Sequence, residues 1–524
     1  MKLNNKKIFA LVTMGIAASS CTNWVDSLEY PSWDKDVATT EDGVYINLPH
    51  AGMLIRVNDK GIFDVVDLNG AEPTHMVASP DGTQVLVFSE WVECEDNSED
   101  IVYVDDCDYE DLVTHSELAI VQNASTSNTI EIPSHLNTVS FSDDGLTAVA
   151  YLDYNDNESI QIDGVADLGE VAFIRLSDGT RGSISVGFSP SKVLFGPNNQ
   201  AVVMSRSQVV AVDLDTFEKT LDAPLSLDAD MQVDPSGAEL AYDEETGTTT
   251  LLLTVEGSSD LYMLDLNTEF WNIGDLGAIP SSLGVASLES KSVFVFDAAS
   301  KAVILDHSEL STLSSGSIQD ITLEEPANST LIGDGFALLY NDNNSFVHDV
   351  YRLDLETGDI VEYVLANPVE EIFLSDSGRY AVGILSPEDT YGSSLDSYQD
   401  NYYGVAVLDM NSDDSVSLVA ETRPLGLKII EDDTSSYALV LMEGQDDLLY
   451  IDLNNPSVPA EIALPAPPVS IETFPDGRFL ITHLVEPGMI SFLDPESLEL
   501  QTVSGFAMMG VFEDKELSRR EEEK

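Results

Sequence analysis

The tetrapeptide Ser79-Pro80-Asp81-Gly82 decides the fold, because variants of it return as Ser142-Asp143-Asp144-Gly145, Asp234-Pro235-Ser236-Gly237, Ser375-Asp376-Ser377-Gly378 and Phe474-Pro475-Asp476-Gly477. A polar residue or proline sets the first turn angle, Asp or Ser bonds the turn backbone, and Gly takes the positive-φ position from which a strand restarts. Each copy therefore reads as a hairpin tip. Strand-like runs follow at residues 84–89, 147–152, 239–243, 380–385 and 479–484. Similar runs at 200–205, 292–296, 336–341 and 437–442 follow weaker turns such as Gly196-Pro197-Asn198-Asn199 and Gly333-Asp334-Gly335.

A second marker ends a later strand of the same units, as Val212-Asp213-Leu214-Asp215-Thr216, Leu264-Asp265-Leu266-Asn267-Thr268, Leu353-Asp354-Leu355-Glu356-Thr357-Gly358, Leu408-Asp409-Met410-Asn411, Ile451-Asp452-Leu453-Asn454 and Leu493-Asp494-Pro495. Apolar residues flanking one Asp fit a strand leaving the core, the carboxylate accepting backbone N–H groups of the following turn. A ring of aspartate ligands is the competing reading. Recurrence at equivalent positions of otherwise different units favours the structural one. Amphipathic helical periodicity is almost absent before the tail, and the units repeat at about 50 residues. The pattern predicts an all-β fold, a β-propeller of four-stranded blades, about eight in number within a range of seven to ten. Residues 43–68 hold three further strand-like runs, and Phe506 to Phe512 would supply the strand that completes that first blade.

The S-P-D-G turn and the later L-D-L-x-T-G segment resemble the WD40-like, TolB-type and YVTN-type propeller repeats of bacterial envelope proteins, over roughly residues 43–510. The resemblance implies the fold and the compartment, not the ligand.

The N-terminus carries an address. Lys2, Lys6 and Lys7 lead into an apolar run over residues 8–18, then Ala18-Ser19-Ser20-Cys21. That run is too short to span a bilayer as a helix and has the flanks of a cleaved segment. Small residues before the cysteine resemble the bacterial lipobox. The resemblance implies removal of a signal peptide, residues 1–20, and diacylation of the Cys21 thiol, hence a lipoprotein held in the cell envelope through its acyl chains. Thr22 rather than Asp after the cysteine resembles outer-membrane sorting. The expected organisation is then the lipidated Cys21 with a polar tether to residue 41, the propeller over 42–512, and a charged tail over 513–524.

The chain has 94 acidic and 22 basic residues. Loss of the leader lysines brings the mature charge to about −75. Such a surface repels phosphate and excludes nucleic acid as a partner. Strong hydration in salty surroundings explains the acidity, and calcium is the cation that acidic clusters could hold. Apart from Cys21, only Cys94 and Cys107 remain, flanking the acidic stretch 95–106. In an exported protein this pair predicts a disulfide, stabilising by roughly 3 kcal/mol through constraint of the unfolded chain.

Catalytic signatures are scarce. The chain contains no G-x-S-x-G elbow, H-E-x-x-H, C-x-x-C or Walker loop. Of the seven histidines, His75 and His135 precede turn tips and His483 sits in a strand, positions that suit satisfied structural roles. Three insertions lengthen their units, at residues 91–112, 153–164 and 387–403. In the second, Asp153, Asn155 and Asn157 alternate oxygen ligands like the first half of a calcium loop, against the plainer reading of a solvated acidic loop. The third gathers Tyr391, Tyr398, Tyr402 and Tyr403, residue types suited to recognition, against the reading of an exposed loop. The expectation is a non-catalytic, lipid-anchored binding or scaffold protein for a protein, peptide or glycan. The alternative is a propeller enzyme, a lactonase-like hydrolase or a lyase, with a divalent metal held by axial side chains.

Overall fold

A computed structural model describes the chain from Val37 to Gly505, except residues 49–52, 59, 61–62, 69–72, 95–111, 134–135, 154–168, 188, 198, 227–232, 234, 244–245, 288–289, 313–317, 344–345, 388–401, 432–435, 475–476, 484, 486–487 and 496. Residues 1–36, with the stretch read as a signal peptide and Cys21, and residues 506–524 lie outside the described residues.

Among the described residues, consecutive antiparallel strands form ten four-stranded sheets, the blades of an all-β propeller. Blades 1 to 10 span residues 37–66, 73–132, 138–185, 190–224, 235–275, 282–322, 329–364, 369–420, 424–463 and 468–504. Ten exceeds the eight expected and lies within the stated range, because the units with weak turns are complete blades. Two of their tips restart without glycine: Asn199 and Ser290 adopt φ of 56° and 51° themselves. The first strand, Val37–Thr40, lies inside the stretch read as tether, so the described fold begins before residue 42. That strand pairs with Gly43–Leu48 and completes blade 1, the place assigned from sequence to residues 506–512.

The S-P-D-G logic holds at atomic detail. Gly82, Gly145 and Gly378 have φ of 65°, 67° and 69°, and their N–H groups donate to the carbonyls of Ser79, Ser142 and Ser375 at 2.8, 2.7 and 2.8 Å. The Ser79 hydroxyl donates to Asp81 at 2.6 Å and accepts the Gln84 N–H at 3.0 Å. Ser142 repeats this with Asp144 and Thr147. One copy behaves differently. Pro235-Ser236-Gly237 is not a tip but the start of strand Pro235–Asp243, paired with Thr248–Val255 through a register shift between Pro235 and Gly237. The bulge absorbs the proline at a strand start, where no ladder N–H is needed. The tip of blade 5 is instead at Gly247, φ 68°.

Second and third strands are aliphatic runs buried along nearly their whole length, as in Tyr380–Leu385 and Tyr403–Asp409. Fourth strands alternate, as in Arg181–Ser185 and Glu218–Pro224, because they sit at the sheet edge with one face toward water.

The contacts divide the chain into two units, one holding blades 1, 2 and 10 and the other holding blades 3 to 8 and most of blade 9. Within each, the core lies between successive sheets. In the first unit, Val44, Ile46, Ile55 and Val57 of blade 1 pack with Phe474, Leu480, Ile490 and Phe492 of blade 10. The opposite face of blade 1, with Tyr45 and Leu54, packs on Val85, Val87 and Ala119 of blade 2. The second unit repeats this from blade to blade, for example Phe294 and Val303 of blade 6 on Leu252 and Leu261 of blade 5.

Polar staples add register to this apolar packing. The turn after a third strand is gripped by the preceding blade: Ala124 N–H donates to the Tyr45 hydroxyl at 2.9 Å, Arg175 Nη2 to the Asp215 carbonyl at 2.8 Å, Lys291 Nζ to the Leu355 carbonyl at 2.5 Å, and the Tyr380 hydroxyl to Asn454 Oδ1 at 3.0 Å. Burial pushes the Tyr45 hydroxyl well above the ordinary phenol range, which keeps it neutral and able to bond.

Candidate functional site

The recurring aspartates are structural. Asp213 Oδ1 accepts the N–H groups of Asp215 and Thr216 at 2.9 Å each, and Asp354 Oδ1 those of Glu356 and Thr357 at 3.0 and 2.7 Å. Asp265, Asp409, Asp452 and Asp494 do the same in their own turns. The N–H groups of Thr216 and Thr357 hold the Asp213 and Asp354 carboxyls below the usual range.

All three insertions leave at one topological place, between the second and third strands of blades 2, 3 and 8. In each of these sheets that is the end opposite the glycine turns. Blade 2 extends Val85–Cys94 and Leu112–Gln122 into a longer ladder, with Trp91 stacked on His115 at 5.5 Å. Cys94 closes the first of these strands, its side chain and Cys107 lying outside the described residues. The root of the second insertion is fixed by Asn137, whose side chain bonds both backbone groups of Asp153. Asn155 and Asn157 are outside the described residues. The third insertion is pinned at its return by the buried Asn367, which donates to the Tyr402 carbonyl at 3.0 Å. Tyr403 opens strand Tyr403–Asp409 and packs against the cluster that includes Tyr380 and Val405. Tyr391 and Tyr398 are outside the described residues. Asn137 and Asn367 were invisible to sequence reasoning, since an isolated Asn before a strand carries no signal of its distant partner.

On the glycine-turn side of blades 6 to 8 lies a groove of about 760 Å³. Lys291, Arg352 and Arg379 line it with Asp334, Asp354 and Glu356, over Phe336 and Met410. A lining with three cations is unusual in a chain of net charge −72. Arg379 lies over the Tyr380 ring at 4.6 Å, and its ion pair with Asp409 is long, 3.9 Å. An adjoining recess of about 290 Å³ shares Asp334 and Gly378 with the groove and is walled by Ala286, Ile332 and Leu374. Sequence gave no hint of this site, because its cations come from separate blades.

Two buried imidazoles complete the inventory. His483 Nδ1 faces the Ala466 carbonyl at 2.8 Å, so it must donate, and Nε2 accepts from Ser491 at 2.7 Å, which in turn bonds Thr502 at 2.9 Å. His307 repeats the arrangement with the Tyr242 carbonyl at 3.2 Å and Ser292 at 2.8 Å. With both nitrogens engaged, these rings are structural, as expected for His483. His75 lies near Phe88, centroids 5.6 Å apart, and His135 is outside the described residues. Among the described residues no three His, Cys, Asp or Glu side chains converge as metal ligands would. None is long and apolar enough as a helix to cross a membrane.

No family model matches the chain, and no curated protein does. Solved structures that match the chain include the dihydro-heme d1 dehydrogenase NirN in complex with DHE, at 11% identity, TM-score 0.40, covering 74% of this chain and 71% of that one. A eukaryotic initiation factor shows 10% identity and TM-score 0.43, covering 74% and 93%. Apo AztD from Citrobacter koseri shows 12% and 0.37, covering 74% and 91%. Likeness at this level carries nothing over to this chain.

Proposed function

We propose that the chain is a lipid-anchored β-propeller of the cell envelope that binds or scaffolds a protein, peptide or glycan without catalysing a reaction on it. The observation that carries this reading is the common origin of the three insertions at the same strand junction, on sheets whose roots are pinned by Asn137 and Asn367. Rigid blades presenting long loops are a recognition architecture. The anchor is Cys21, and the tyrosine-bearing insertion of blade 8 is the contact segment.

Two experiments test it. Cys21→Ser should move the protein from the membrane to the soluble fraction, and retention at the membrane would remove the anchor from the reading. Crosslinked pull-down from membranes should lose its partners when residues 388–401 are replaced by a short Gly-Ser turn. Unchanged partners would reject that segment.

A further inference from the structure

We propose that the groove of blades 6, 7 and 8 binds an extended peptide carrying a carboxylate next to an aliphatic side chain. This rests on the reading of the chain as a binding protein and names the ligand chemistry of a second surface on it.

The cations divide into a strut and a receptor. Lys291 is committed to the Leu355 carbonyl at 2.5 Å and ties blade 6 to blade 7. Arg379 is positioned differently. Its guanidinium carbon lies over the Tyr380 ring, 4.6 Å from the centroid, its side chain is 46% exposed, and its acidic neighbour Asp409 stands 3.9 Å away. A planar fork over a ring, with a loosely engaged edge, is the geometry that takes a carboxylate through two parallel N–H bonds. Arg352 lines the same cavity.

Part of the acidity around these donors is spent on local turns, while Asp334 and Glu356 also line the wall. Asp354 spends its oxygen on the N–H groups of Glu356 and Thr357 and on the Thr357 hydroxyl at 3.0, 2.7 and 3.0 Å. Asp409 accepts the Asn411 N–H at 3.0 Å. Each carboxylate thus commits one oxygen, Oδ1, to its own turn, and Asp409 Oδ2 faces Arg379.

The recess beside the groove decides the rest of the ligand. Ala286, Ile332 and Leu374 give the recess an apolar wall that an aliphatic side chain would cover, beside the polar Ser287, Asp334, Ser375 and Asp376. Gly378 stands at the junction of the two cavities with φ 69°, and the missing side chain keeps the passage open. The two volumes, about 760 and 290 Å³, suit a few residues of extended chain.

The test uses the full-length protein in detergent and fluorescence anisotropy, at 0.15 and 0.5 M NaCl to screen the repulsion between an anionic peptide and an acidic protein. The probes are fluorescein-Gly-Ser-Leu-Glu-Glu with a free C-terminus and its Leu-Gln-Gln-amide counterpart. The acidic peptide should bind about tenfold or more tightly than the neutral one, as charge-assisted bonds imply. Arg379→Gln should erase the difference, and Arg379→Lys should restore part of it. Replacing Leu in the acidic probe by Ser should weaken binding, and unchanged melting of the variants separates lost contact from lost fold. Equal affinity for both peptides, indifference to Arg379→Gln, or preference for a glucuronate oligosaccharide over both peptides would overturn the proposal. If the peptides fail while membrane partners are still captured through the blade 8 insertion, the groove assignment falls and the binding reading stands.

Discussion

Asn137 holds Asp153 by both of its backbone groups: Nδ2 donates to the Asp153 carbonyl at 3.0 Å and Oδ1 accepts the Asp153 N–H at 2.7 Å. The side chain thus mimics one more strand pair at the root of the blade 3 insertion, beside the Asn137 N–H bond to the Tyr151 carbonyl at 3.2 Å. Asn328, just before blade 7, resembles it in part: its Oδ1 accepts the Asp342 N–H at 3.1 Å, while its Nδ2 donates to the Asp342 carboxylate at 2.8 Å. Replacing Asn137 by Ala should cost about 1–3 kcal/mol, two bonds lost with a half-buried carbonyl left behind. Hydrogen exchange at the Asp153 amide checks it: the rate should rise well above that of Asn137→Asp, which keeps the acceptor.

Backbone conformation, not crowding, fixes the glycine turns. A methyl group at Gly378 would meet only Phe336 at 3.7 Å, an ordinary contact, yet its φ is 69°. Gly378→Ala should cost about 1–2 kcal/mol from the left-handed backbone alone. Gly426→Ala is the matched control, since nothing lies within 4 Å of its added carbon and its φ is not positive. Denaturation midpoints should fall for the first substitution and hold or rise for the second.

Acid should weaken the fold through its buried imidazoles. Desolvation lowers the proton affinity of His307 and His483 below the usual histidine range. The unfolded chain then binds more protons than the folded one just below about pH 6.5, so stability is complete above that pH and declines as pH falls through the window. Burial raises Glu117, Asp349 and Glu362, which act with the opposite sign at somewhat lower pH. Urea midpoints measured from pH 7.5 to 5.5 should therefore fall for the wild type, and less steeply for His483→Gln. An identical slope in both would show that His483 does not titrate there.

Salt should stabilise this protein. With a formal net charge of −72, repulsion within the folded state outweighs surface pairs such as Lys219–Asp222 and Lys301–Asp320. Such exposed pairs contribute about 0–1 kcal/mol. Raising NaCl from 0.1 to 1 M shortens the screening length from about 10 to about 3 Å. The melting temperature should climb across that range, and a fall would mean that the ion pairs dominate.

The sequence by itself determined what is local. Turn glycines, the serines and aspartates that bond them, and the Asp of each third-strand exit act within five residues, as in the Ser79 bond to Gln84, so residue type and spacing announce them. Pro235-Ser236-Gly237 shows the limit, because the same residues make a tip or a bulge according to the strand opposite, and that strand, Thr248–Val255, lies outside any short motif. Only the tertiary structure decided the number of complete blades, the pinning of the insertions and the groove of blades 6 to 8. Those depend on pairs far apart in the chain: Lys291 meets Leu355 across 64 residues and Tyr380 meets Asn454 across 74. Contacts of that span follow from how neighbouring sheets pack their apolar faces, a property of whole blades that no single stretch of sequence carries.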